Sequence, residues 1–299
     1  MKNNNYNLKK GILCIFIATI AFSTIEIVAK TIHGIDPLQM NFIRFFIGGI
    51  FLLPFALKEL HKRKLKLTLN DFLFFALTGI IGVTISMCFF QTAVVFTKAS
   101  IVAVIFSTNP IFTAPLAFLL LKEKLNVSKI LSLAVSIIGV LLIFNPFSIN
   151  PDLKGMLFAL ISAICFSLYT VISKKRIAKY GGLILSTFSF LIGVTVLLLF
   201  LLLIGKPIVS GISLTNILPL LYLGIFASGI GYLSYFTAMK YTSAITASTV
   251  FFIKPALASI LSFFILGEHL SFIAIIGIGL IIVASVIMLA PKKVDQASI

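Results

Sequence analysis

From Gly11 to Ala290 the chain is a succession of apolar runs, each about 20 residues long and parted by short stretches of Gly, Pro, Asn and Lys. No other feature narrows the possible folds as much. Backbone that crosses lipid has no water to bond, so it must satisfy its own N–H and C=O groups as helices or as a closed barrel. Barrel strands would show about ten residues of alternating character, and these runs are continuous. Composition agrees. Apolar residues make up 60% of the chain and charged residues 11%, with a mean hydropathy of +1.18. A soluble chain carries about a quarter charged residues.

Ten runs can be drawn, at 11–31, 37–57, 71–91, 98–121, 127–145, 154–173, 182–204, 215–239, 243–266 and 271–290. The breakers between them include Gly34 to Pro37, the Lys58–Lys66 cluster, Asn145 to Asp152, Gly181-Gly182, Gly205 to Pro207, and Pro291. The first run follows Lys2, Lys9 and Lys10, as in a signal peptide. It contains Glu26 and lacks a small-residue cleavage site, so it reads as an uncleaved first span.

The chain also matches itself. At an offset of 145, Phe90, Thr92, Ala93, Thr97, Ala99, Pro110, Glu123 and Leu125 fall on Tyr235, Thr237, Ala238, Thr242, Ala244, Pro255, Glu268 and Leu270. Near the N-terminus the offset is 144, and Lys10-Gly11, Phe22-Ser23 and Lys30 fall on Lys154-Gly155, Phe166-Ser167 and Lys174. The expected fold is an all-α integral membrane protein of ten transmembrane helices, built as two five-helix repeats over residues 1–147 and 148–299. Five is odd, so the second repeat enters the bilayer inverted. Inverted repeats belong to transporters that open alternately to either side around a shared site.

Charge placement predicts orientation. With the N-terminus cytoplasmic, 18 of the 24 Lys and Arg residues fall in inside segments and 4 in outside segments, and Arg44 and Lys254 lie within spans. Both termini are then cytoplasmic, in the cell's inner (plasma) membrane. The loop Lys122-Glu123-Lys124 is cytoplasmic on this reading, and its repeat partner Gly267-Glu268-His269 keeps the Glu without Lys or Arg, as inversion requires. The formal net charge of +16 is therefore loop charge, not a nucleic-acid surface. Cys14, Cys88 and Cys165 lie inside apolar runs without pairing or metal-ligand spacing.

Ionisable groups at membrane depth are costly and invite a functional reading. Lys254 lies mid-span directly before Pro255, a charge beside a helix break, with a structural pair inside the bundle as the alternative. Asn109-Pro110 is its repeat equivalent, either lining a cavity or bonding a neighbouring helix. Glu26 shares a polar helical face with Thr19, Ser23 and Lys30, and can carry a proton, bind a cation or pair with Arg44 or Lys254. Arg44 lies early in its span, within reach of the outer boundary. Gln91, Tyr169, Tyr232 and Tyr235 are further candidates to line the same space, and Gly224, Ala227 and Gly231 favour close helix contacts. The expected substrate-binding set is Lys254, Glu26, Asn109, Gln91, Tyr169, Tyr232 and Ser23. No phosphate-binding loop, metal triad or Ser-His-Asp set is present in the sequence, so no catalytic residue, metal or cofactor is expected.

The opening Gly11…Phe22-Ser23, Arg44, the stretch Asn109-Pro110…Leu121-Lys122-Glu123-Lys124-Leu125…Gly139-Val140-Leu141-Leu142-Ile143 and the ending Lys254-Pro255…Gly267-Glu268-His269-Leu270 resemble the drug/metabolite transporter superfamily, in particular its EamA-type ten-helix permeases. The resemblance covers the whole chain. It implies a secondary carrier of small metabolites, an exporter of amino-acid-like compounds, with a central cavity built from both repeats. It also marks Glu123 and Glu268 as features of the fold, not of the site. Many relatives carry Glu where this chain has Lys254, which favours an anionic or zwitterionic substrate. A flippase or exporter of lipid-linked or drug-like compounds is the alternative, and a membrane-embedded enzyme would need a reactive set of residues that the sequence lacks. The expected partners are a small-molecule substrate and the lipid bilayer, with no nucleic acid. Proton coupling is open, as is the choice between monomer and weak homodimer.

Overall fold

The computed structural model describes residues 2–29, 31–97, 99–144, 152–266 and 271–289. Every regular element among them is helical. The first half runs α1 (Lys2–Ser23), α2 (Ile25–Ala29), α3 (Pro37–Lys62), α4 (Leu69–Gly79), a π-helical stretch π1 (Ile80–Ser86), α5 (Met87–Phe96), α6 (Ala99–Ser107), α7 (Asn109–Leu121) and α8 (Val127–Phe144). The second half runs α9 (Leu153–Leu203), α10 (Leu214–Tyr222), π2 (Leu223–Gly231), α11 (Tyr232–Tyr241), α12 (Ala244–Ser248), α13 (Val250–Leu266) and α14 (Phe272–Leu289).

Eight helical stretches among the described residues are long and apolar enough to cross a bilayer, and Val127–Ile143 is a shorter apolar helix. One of the eight, α9, has 51 residues. At 1.5 Å per residue it would measure roughly 76 Å, more than twice the hydrocarbon thickness of about 30 Å. It turns instead at Gly181, whose φ of 75° and ψ of 169° are non-helical and suit glycine alone. The sequence breaker at Gly181-Gly182 thus lies at the bend. Large apolar side chains face outward along the helices, among them Phe264, Leu119 and Ile282, as a lipid-facing surface requires.

Lipid tails are as apolar as leucine, so helices in a membrane gain little from burying apolar faces against each other and rely on close backbone approach. Gly79 supplies one such approach, since a Cβ there would lie 2.2 Å from the Ser189 carbonyl oxygen. Gly224 sits against Ile47 in the same manner, and Gly231 against Phe22 and Ala21.

Several contacts occur twice, once with each half in each role. A Cβ on Gly11 would meet Thr242 Cγ2 at 2.7 Å, and one on Gly155 would meet Thr97 Cβ at 2.7 Å. Ser23 Oγ donates to the Lys254 carbonyl (3.1 Å), and Ser167 Oγ donates to the Asn109 carbonyl (3.0 Å). Gly79 approaches Gly193, and Gly224 approaches Gly48. Both π-helical stretches begin within a residue of those paired glycines. Each pair is related by the sequence offset of 144 or 145.

The two ends of the bundle differ in charge. At one end Asp71, buried at the start of α4, accepts hydrogen bonds from Lys179 and from the Tyr180 hydroxyl at 2.5 Å each, with Arg176 3.7 Å away. Arg63 donates to the Tyr180 carbonyl there (2.8 Å). At the opposite end Asn216, the repeat equivalent of Asp71, donates to the carbonyls of His33 and Gly211. Lys206 pairs with Asp36 at 2.8 Å, and Gln39 donates to the Ser210 carbonyl, so the stretches 33–39 and 206–216 are tied together. Burial alone would raise the Asp36 carboxyl. The bonds from Lys206 and from the Leu38 amide outweigh it and hold the pKa below its ordinary value.

Candidate functional site

A small cavity of about 40 Å³ lies among α1, α2, α3, α5, α6, α11 and α13. Two cations line it, Arg44 from α3 and Lys254 from α13. The rings of Phe22, Phe90, Phe106, Tyr232 and Phe251 enclose it, with Ile25 and Met87 completing the wall.

Two prolines shape this place. Proline has no amide, so it cannot donate to the carbonyl four residues earlier. For Pro255 that carbonyl belongs to Phe251, and for Pro110 it belongs to Phe106. Both phenylalanines line the cavity, with ring centroids 5.7 Å apart, and they are repeat equivalents. The helices are interrupted nearby: α6 gives way to α7 at Thr108, and α12 to α13 at Thr249. The rings pack on one another, Phe22 edge-on to Tyr232 at 5.0 Å and Phe90 to Phe106 at 5.0 Å.

Arg44 is buried, with Nη2 3.5 Å from the Met87 sulfur and its guanidinium 4.7 Å above the Phe45 ring. A cation over a ring face gains about 0.5–2 kcal/mol, more as water is excluded. Lys254 is half-buried at the cavity wall. Two positive side chains in a ring-lined, largely apolar space attract an anionic group, because the effective dielectric there is below that of water. A water needs about 10–15 Å³ of such space, so this cavity holds a few waters, and a metabolite fits only after the helices part.

The residues expected from the sequence are distributed as follows. Lys254 and Tyr232 line the cavity. Ser23 is fully buried beside it, its hydroxyl held by the carbonyls of Thr19 and Lys254. Asn109 is fully buried and bridges helices instead: Nδ2 donates to the Ala163 carbonyl and the Ser167 hydroxyl, while Oδ1 accepts from Thr113. Gln91 is buried on α5, one position beyond the cavity-lining Phe90. Tyr169 is fully buried with its ring pressed against Gly82 of π1, where a Cβ would lie 2.6 Å away. Tyr235 bonds Thr170 through its hydroxyl at 3.0 Å. Glu26 belongs to α2, next to the cavity-lining Ile25, and its side chain lies outside the described residues.

The sequence reading left Arg44 and the four phenylalanines out of the site. A signal for two of them was available, since Phe106 and Phe251 each precede a repeat-matched proline by four positions. Among the described residues no group of three His, Cys, Asp or Glu could hold a metal, and the three cysteines are free.

The eight long apolar helices among the described residues make this a multi-span membrane protein. The sequence profile of the EamA-like transporter family matches the chain twice, over residues 9–145 and 153–290, and the chain belongs to that family, within the drug/metabolite transporter superfamily. An "Uncharacterized transporter" of Clostridium kluyveri is 50% identical over 295 residues, covering 96% of this chain and 95% of that protein. The "Uncharacterized transporter YdfC" of Bacillus subtilis is 29% identical over 85% of this chain and 82% of its own length. A solved structure described as "Crystal structure of protein" shares the fold, with a TM-score of 0.79 at 18% identity over 93% of this chain and 96% of its own.

Proposed function

We propose that this transporter is a secondary carrier that exports a small amino-acid-like metabolite by alternating access. The observation that carries the reading is the central cavity, where cations from both halves meet beside the two repeat-matched prolines. Discontinuous helices from two repeats around one midplane site are how such carriers expose that site to either side in turn. The reciprocal contacts of Gly11 with Thr242 and Gly155 with Thr97, and of Ser23 with Lys254 and Ser167 with Asn109, support an inverted relation between residues 1–147 and 148–299. The bend at Gly181 divides α9 into two spans and Val127–Ile143 forms another, which makes ten crossings. The end that gathers Arg63, Arg176 and Lys179 is the cytoplasmic one, and both termini lie there.

In this reading the substrate carboxylate sits by Lys254 and its amine by Glu26, against the aromatic wall. A proton gradient is one source of drive. The test is uptake of a radiolabelled amino-acid panel into proteoliposomes, with and without an imposed pH gradient. Saturable uptake of at least one member supports the proposal. Flux of the panel equal to that of protein-free vesicles counts against it.

A further inference from the structure

Glu123 was read above as a mark of the fold, and its contacts give it a task. Lys122 closes α7 in the left-handed conformation, with φ 56°. That turn aims the next side chain across to the other half of the chain. Glu123 Oε1 accepts the Ala244 amide at 2.8 Å and Oε2 the Ile245 amide at 3.3 Å, the first two amides of α12. A helix start leaves such amides without intrahelical partners and carries partial positive charge, so a carboxylate holds it well.

The same turn is gripped from other sides. Lys174 Nζ donates to the carbonyls of Met239 and Thr242 at the end of α11. Gly11 of α1 packs on Thr242, and Lys10 lies 5.1 Å over the Tyr241 ring.

Behind this turn lies a second hollow, of about 470 Å³, large enough for a metabolite. Thr242, Ser243 and Thr246 form one wall, and Asn126, Ser128 and Lys129 at the start of α8 contribute polar groups. Thr246 is eight positions before Lys254 on the same span, a rise of about 12 Å. The span formed by α12 and α13 therefore contributes to both walls, Thr246 to the hollow and Phe251 and Lys254 to the central cavity. Ser248 Oγ bonds back to the Ile245 carbonyl (2.8 Å) and Thr249 Oγ1 to the Thr246 carbonyl (2.7 Å), side-chain bonds that compete with the backbone ladder, and Thr249 alone parts α12 from α13.

We propose that α12 is a gate between this hollow, the substrate's loading site, and the central cavity, and that Glu123 is the latch that holds it shut. Opening swings α12 about Thr249 once the carboxylate releases the two amides. The proposal rests on the transport reading, but its test does not depend on knowing the substrate. Ser248 is fully buried on the gate, and Ser189 is fully buried in the distant contact of α9 with α4. Ser248→Cys and Ser189→Cys are placed singly in the full chain in nanodiscs. A small charged maleimide is applied, and peptide mass spectrometry gives the labelling rate at each introduced cysteine. Glu123→Ala should raise the rate at position 248 by about tenfold or more, the effect of losing a charge-assisted contact, and leave position 189 unchanged. Glu123→Gln keeps the volume and one acceptor and should give an intermediate rise; it decides the matter if the alanine variant does not fold. No rise at 248 in a folded variant overturns the latch. An equal rise at 189 also overturns it, because Glu123 would then hold the bundle as a whole. Wild-type flux in proteoliposomes tests the transport reading separately.

Discussion

Lys254 stood out in the sequence because a charge in an apolar run is costly wherever it lies, and the cavity lies around it. Replacing it with the similarly shaped Met removes the charge and keeps the volume. Lys254→Met should abolish transport while the protein still inserts and folds, as judged by monodisperse elution and unchanged helicity. Wild-type rate and affinity in this variant would make the residue structural only. Glu26 offers a finer test of the amine contact. Glu26→Gln should cut affinity for amino acids by about tenfold or more, the scale of one charge contact in a partly desolvated site, and affect their deaminated analogues less. Equal losses for both, in competition assays, would remove the amine from its role. Other residues were harder to read. With 30 phenylalanines in the chain, nothing in composition separates Phe22, Phe90, Phe106 and Phe251 from those that face lipid. Asn109 was ambiguous for a different reason: an amide at mid-membrane can serve a cavity or a neighbouring helix, and only the positions of Ala163 and Ser167 show what it touches.

Among the elements, the break at Gly181 was legible because two adjacent glycines follow the basic stretch Lys174 to Lys179 that parts two apolar runs. The π-helical stretches were not, since a change from four-residue to five-residue hydrogen bonding leaves no mark on apolar periodicity. Their neighbouring glycines make similar demands. At Gly79 an added Cβ meets the Ser189 carbonyl oxygen and the Gly193 amide, both backbone, and neither can turn aside. At Gly224 it meets Ile47 Cγ2, and Cβ at 2.5 Å, and that Cβ is fixed to the backbone of α3. Gly79→Ala and Gly224→Ala should therefore each destabilise the protein by about 1–3 kcal/mol or more, read as melting temperature in detergent. An unchanged melting temperature in either variant would contradict this packing account. At the opposite end the Asp36–Lys206 pair ties two loops. Because the folded pKa of Asp36 is lowered, its contribution is present above the unfolded value of about 3.9 and is lost only as pH falls below it. Hydrogen exchange in the 206–213 loop should thus show no opening from this pair between pH 7 and 5, after correction for intrinsic rates. Asp36→Asn should speed exchange there at pH 7.

For the whole molecule, the near-constant offset of 144 to 145 carried most of the argument, because a repeat constrains every element at once. What it could not carry is the present width of the cavity, which depends on how closely the Phe rings pack and not on which residues repeat. An inverted arrangement puts Lys62 and Asp152 on opposite faces of the membrane. A membrane-impermeant thiol reagent should reach Lys62→Cys from the cytoplasmic side and Asp152→Cys from the outside, and labelling of both from one side would refute the inversion. The central claim is that one site is offered to the two sides in turn, and exchange across the membrane tests it most directly. Proteoliposomes preloaded with an unlabelled substrate from the amino-acid panel should take up the labelled compound faster than empty ones, with a rate that saturates. Uptake that rises linearly with concentration and ignores what is inside would contradict alternating access.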